Sequence, residues 1–246
     1  DGSMQIGFGL GKYTNRNVMD AYAALSRGKQ QWTVRASRAL APEPETTRIG
    51  PVHYEVIEPL RQVRFRLEAN ACQPIAFDWL FEAAVPPFLE ERTHLRQQYR
   101  VMAELVRYHQ TGIASGWIEL DGERFDMTPE SWVSTRDHSW GVRYDVGAPP
   151  RDCEPRPGIP PGFGFMMIWC PALMETRAGA RYALHLHFTW IKAPGFEQKM
   201  VTARVEHPDG REERIADIVP ALRFDPKNRR LLGGELDCRM QDGSRR

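Results

Sequence analysis

Apolar and polar side chains alternate with period two along much of this 246-residue chain. That is the repeat of a β-strand with one buried face. In Val63-Arg64-Phe65-Arg66-Leu67-Glu68 the apolar residues fall on one side and the charges on the other. Residues 117–120 and 123–127 flank Asp121-Gly122, a pair suited to a tight hairpin turn. Residues 201–206 and 213–219 flank Pro208-Asp209-Gly210 in the same way, and Tyr182, Leu184, Leu186, Phe188 and Trp190 share one strand face. Two segments depart from the pattern. In 88–110, Leu95, Tyr99, Met102, Leu105, Val106 and His109 fall near helical spacing. Thr111-Gly112 and Ser115-Gly116 then punctuate the chain like hairpin turns, which favours a loop followed by a strand from about Gln98 over a helix. Residues 17–25 predict a short helix capped by Asn17, with Val18, Tyr22 and Leu25 on one face.

Residues 146–164 carry Pro149, Pro150, Pro155, Pro157, Pro160 and Pro161, too many for a central strand. They read as a linker between two β modules, or as a loop over the mouth of a barrel. The expected architecture is therefore all-β: antiparallel modules over 1–147 and 148–246, with few short helices. Asp1-Gly2 and Asp242-Gly243 read as turns at the two ends, which predicts strands beyond the chain and an incomplete second module.

Seven tryptophans and eleven phenylalanines suit strands around an apolar interior. Lys and Arg number 33 against 32 Asp and Glu, so no excess charge points to a nucleic acid. No apolar run approaches the roughly 20 residues of a membrane helix. Cys72, Cys153, Cys170 and Cys238 are widely spaced without a C-x-x-C, the usage of reduced thiols in a cytoplasmic protein. Gly7-Phe8-Gly9-Leu10-Gly11-Lys12 lacks the spacing of a phosphate loop and of a dinucleotide fingerprint, and reads as glycines in a bending strand. His185-Leu186-His187 puts two imidazoles on one strand face, but a metal site needs a third ligand. The default is a polar face, exposed or lining a lumen. No metal and no cofactor are expected.

The chemistry concentrates in 134–145. As a strand, this segment points Arg136, His138 and Trp140 one way and Asp137, Ser139 and Arg143 the other. His138 offers a proton donor or acceptor near neutral pH, and Trp140 a π face that stabilises a developing cation. A packed, hydrogen-bonded core feature is the plainer reading of the same residues.

Arg136-Asp137-His138-Ser139-Trp140-Gly141, preceded by Gly116-x5-Gly122, resembles the bacterial carotenoid 1,2-hydratase (hydroxyneurosporene synthase) and AttH-like superfamily. Gly9-x-Gly11-Lys12-Tyr13-x-Asn15, Ser37-Arg38, 50–59 and Arg107-Tyr108-x-Gln110 extend the resemblance over roughly residues 5–145. It implies two lipocalin-like (calycin-type) β barrels or half-barrels with a cavity for an apolar ligand. It also implies catalytic roles for His138 and Trp140; in an enzyme, Arg136 or Asp137 would orient the imidazole. The family's downstream Tyr-x-Asp, with its alkene-protonating carboxylate, has no counterpart: the comparable stretch reads Phe163-Gly164-Phe165-Met166-Met167-Ile168-Trp169. Phe163, Phe165, Trp169, Tyr144 and Arg136 are the ligand-binding candidates, and Asp145 or Glu175 the replacement acids. Three readings stay open. One is a hydratase-, isomerase- or cyclase-type lyase acting on an isoprenoid, steroid-like, polyketide or aromatic molecule. The second is a non-catalytic carrier, and the third a structural or chaperone-like protein. A homodimer is compatible with each.

Overall fold

The structure is a computed structural model that describes residues 2–97, 99–143, 146, 152, 154 and 158–246. Asp1, Gln98, Tyr144, Asp145, Cys153 and much of the proline-rich stretch lie outside the described residues. The all-β expectation holds: every strand pair among the described residues is antiparallel, and the one helical element there is a 3₁₀ turn at Thr14–Arg16.

Two compact units divide the chain, Asp1–Ala83 with Gly112–Ser134, and Ala84–Thr111 with Thr135–Arg246. They are not two consecutive segments. The expected cut after residue 147 falls inside the second unit, because the strands that neighbour one another come from separated stretches.

In the first unit, β1 (Met4–Tyr13), β2 (Val18–Arg27) and β3 (Gln30–Ala39) form an up-and-down meander. β4 (Arg48–Ile49), β5 (Val52–Glu58), β6 (Gln62–Leu67) and β7 (Ile75–Ala83) form another. The expected helix over 17–25 is instead β2. Met19, Ala21, Ala23 and Leu25 are its buried positions, a period of two that the small alanines disguise as helix propensity. Asn17 takes a left-handed backbone (φ 54°) before the strand, and its Oδ1 accepts the Ala41 N–H at 2.8 Å. Gly9 lies opposite Tyr22, where a Cβ would come within 2.2 Å of the ring. The glycine run thus makes room for an aromatic side chain.

The region from 88 onward is extended: β8 (Phe88–Leu89), β9 (Thr93–Gln97), β10 (Arg100–Leu120), β11 (Glu123–Met127) and β12 (Val133–Arg143). The expected loop before Gln98 contains two strands, and neither Thr111-Gly112 nor Ser115-Gly116 is a turn. β10 runs straight through both. A Cβ at Gly112 would lie 2.0 Å from the Glu82 carbonyl oxygen, and one at Gly116 2.0 Å from that of Asp78. These glycines mark close approach of β7, not a break. From Gly112 on, β10 pairs with β7 and β11 in the first unit, and Asp121-Gly122 closes the hairpin with positive φ at both residues (52° and 81°). Val63, Phe65 and Leu67 of β6 and Phe77, Trp79 and Phe81 of β7 complete the core.

In the second unit the first half of β10 pairs with β8 and β9, and β12 also pairs with β10. β13 (Gly164–Glu175), β14 (Arg181–Ala193), β15 (Phe196–Glu206), β16 (Glu212–Phe224) and β17 (Leu231–Met240) form a five-stranded meander. Both expected hairpins and the β14 apolar face are present. Leu186 and Phe188, with Ala203, Val205, Ile215 and Ile218, make the core of this sheet. Asp242-Gly243 forms the expected turn after β17, with Gly243 at φ 88°. Among the described residues no helix is long and apolar enough to cross a membrane, and Cys72, Cys170 and Cys238 are free thiols.

Candidate functional site

β14 has two buried faces. Leu186 and Phe188 point into the apolar core, while His185, His187 and Thr189 point the other way. Arg204 of β15 lies opposite His185, and Trp169 of β13 opposite His187. Phe88, Glu90, Arg107 and His109, from the β8 and β10 side of the same unit, meet this polar face. The ring of Phe88 is 5.2 Å from that of His185, and the Arg204 guanidinium lies 3.9 Å over Phe88.

Glu90 is the hub. Its Oε1 accepts from Trp169 Nε1 at 2.8 Å and stands 3.0 Å from His109 Nδ1. Its Oε2 lies 3.7 Å from His187 Nδ1 and 3.9 Å from Arg107 Nη1. Burial alone would raise this carboxyl. The hydrogen bonds from His109 and Trp169, with the nearby His187 ring and the charge of Arg107, outweigh it and hold Glu90 well below the usual carboxylate range. An ionised carboxylate only accepts, so His109 carries its proton on Nδ1. His109 Nε2, both ring nitrogens of His185 and Glu206 Oε2 are buried without a hydrogen bond.

His187 is the reachable imidazole of the group. Its side chain is 27% exposed, whereas those of His109 and His185 are fully buried. Trp169 begins an apolar strip on its own strand face: Phe165 and Met167 follow at two-residue spacing, both more than half exposed, and Phe163 lies exposed just before the strand. A carboxylate-backed imidazole at the end of an apolar strip can give or take a proton on a bound apolar molecule.

The residues singled out in 134–145 divide between the faces of β12. Asp137 turns toward the Glu90 group, with its Oδ2 3.5 Å from Arg107 Nε. Arg136, His138 and Trp140 take the opposite face. There His138 stacks on Tyr108 (5.5 Å, 10°), Trp140 meets both rings at 5.7 and 6.3 Å, and Arg136 donates to the Tyr108 hydroxyl. Burial lowers the His138 pKa, Arg136 lowers it further and Asp137 opposes them, so this imidazole is neutral at pH 7. Trp140 is half exposed. Glu175 stands at the end of β13 and pairs with Arg181. Tyr144 and Asp145 lie outside the described residues.

A scan against protein families matches residues 1–246 to the family of unknown function DUF8625. The chain belongs to this family. A search of curated proteins found no match. A search of solved structures found kievitone hydratase from Nectria haematococca, at 11% identity and a TM-score of 0.49. That similarity covers 91% of this chain and 64% of the hydratase, so the DUF8625 chain spans less than two thirds of that protein's length.

For this DUF8625 protein the sequence reading reached Trp169, Asp137 and the His185/His187 pair, but not Glu90, His109, Arg107 or Glu206. Glu90 follows a two-residue strand, and Trp169, whose indole it accepts, is 79 positions away. The available signal was Phe88-Leu89-Glu90, a short alternation that would carry a carboxylate to the face of an apolar residue.

Proposed function

We propose that this protein binds a small, largely apolar molecule along the Phe163, Phe165, Met167 and Trp169 side of β13. His187, backed by Glu90, then moves a proton at the molecule's polar end. The carrying observation is Glu90: a buried carboxylate held ionised, 3.7 Å behind a partly exposed imidazole. A carboxylate so placed orients the ring and stabilises the imidazolium that forms when the ring takes a proton. The reaction class is cofactor-independent proton transfer, as in hydration, dehydration, isomerisation or cyclisation. Isoprenoid, steroid-like, polyketide and aromatic compounds suit the apolar strip.

A second reading keeps proton transfer at His138. It is favoured by the neutral imidazole stacked on Tyr108 beside the open face of Trp140.

Incubation with a panel of apolar alkenes, enones and phenols, followed by mass spectrometry, separates these readings. The expected result is turnover that His187→Ala and Glu90→Gln each reduce by about 100-fold or more, while His138→Ala retains it. Turnover lost in His138→Ala and kept in His187→Ala moves the chemistry to the outer face of β12. Binding without turnover makes the protein a carrier.

A further inference from the structure

Behind the Glu90–His187 pair lies a second carboxylate–imidazole pair that proton transfer at His187 does not itself use. His185 Nε2 stands 3.6 Å from Glu206 Oε2, and the rings of His185 and His109 are 4.4 Å apart. All three residues are buried. The groups follow one another as neighbours in the order Glu206, His185, His109, Glu90, His187, with the two imidazoles in the middle fully buried. Two arginines flank the series. Arg204 lies 3.8 Å from Glu206 and also pairs with Glu212, and Arg107 sits between Glu90 and Asp137.

We infer that His109 and His185 act as one proton-storage unit that takes up a single shared proton and positions Glu90 for its partner His187. Two imidazolium rings at 4.4 Å in a buried site repel strongly, so the second proton is excluded while the fold is intact. One added proton has acceptors at hand. His109 Nε2 and His185 Nδ1 are bare, and Glu206 and Glu90 bracket the pair with carboxylates. Burial and the neighbouring His109 and Arg204 disfavour a charge on His185, while Glu206 favours it, so uptake falls below the ordinary histidine range. The role as proton store rests on the reading of His187 and Glu90 above; the sharing itself does not.

The test is a ring-nitrogen NMR titration of histidine-labelled full-length chain, which needs no substrate. The expected result is one joint titration step for His109 and His185, with one proton taken up between them. Glu206→Gln should lower that midpoint by about one pH unit or more, a shift that a purely packing role would not produce. Independent titration of the two rings, or no uptake before the chain unfolds, overturns the inference. If Glu206→Gln does not fold, the wild-type titration alone decides. A joint step in a protein without turnover leaves the sharing intact and removes only the catalytic reading.

Discussion

Gly141 shows how a single residue reports on its surroundings. Its φ is 134°, and a Cβ there would stand 2.0 Å from the Glu104 carbonyl oxygen. In the Asp137–Gly141 string, glycine is therefore set by the approach of β10. Gly141→Ala should cost about 2–4 kcal/mol, read as a lowered urea midpoint, because it adds backbone strain to a steric clash. Glu90 makes a different demand. Glu90→Gln removes the anion that fixes His109 and faces Arg107, leaving that cation without one of its two carboxylates. A loss of about 1–3 kcal/mol is expected in the same experiment. What could be read of the site at this scale was limited by partner identity. Asp137 and Trp169 were visible as chemistry-bearing residues, but their partners Arg107 and Glu90 lie 30 and 79 positions away.

β13 and β14 each present an apolar face to the sheet core and a second face to the polar group. Period two, read from Tyr182 to Trp190, identified the core face correctly. The same alternation left His185, His187 and Thr189 undecided between solvent and a lumen, because periodicity says which residues share a face and not what covers it. The two faces should respond differently to truncation. Phe188→Ala, in the core, should destabilise by about 3–5 kcal/mol in urea unfolding. Phe165→Ala, on the open strip, should stay within about 0.5 kcal/mol while weakening binding of an apolar phenol. The helical spacing of 88–110 misled for a related reason. Tyr99, at φ 63°, reverses the chain between β9 and β10, and the bulge between Val101 and Ala103 shifts the alternation by a residue.

At the scale of the whole molecule, buried ionisable groups tie stability to pH. His185 and His138 both have folded pKa values below the ordinary 6.5. Below that pH the unfolded chain binds protons that the folded chain refuses, so stability rises with pH up to about 6.5 and falls on acidification. Glu90 acts lower. Its contribution is complete above its ordinary value of 4.5 and is lost as pH falls toward its depressed folded value. Thermal unfolding across pH should show a first decline below about 6.5 and a steeper one below about 4.5, the second reduced in Glu90→Gln. The all-β class was legible in the sequence because hairpins such as that at Asp121-Gly122 are local. The division into units was not, since β10 and β12 each contribute residues to both.

The location of the ligand decides the central claim. In nitrogen-resolved NMR spectra of the full chain titrated with 2-naphthol, the Trp169 indole and the His187 ring should shift together. Phe165→Ala should weaken the response, and the Trp140 indole should stay in place. Shifts confined to Trp140 and His138, or no saturable shift at either pair, would contradict the assignment of the site to Glu90 and His187.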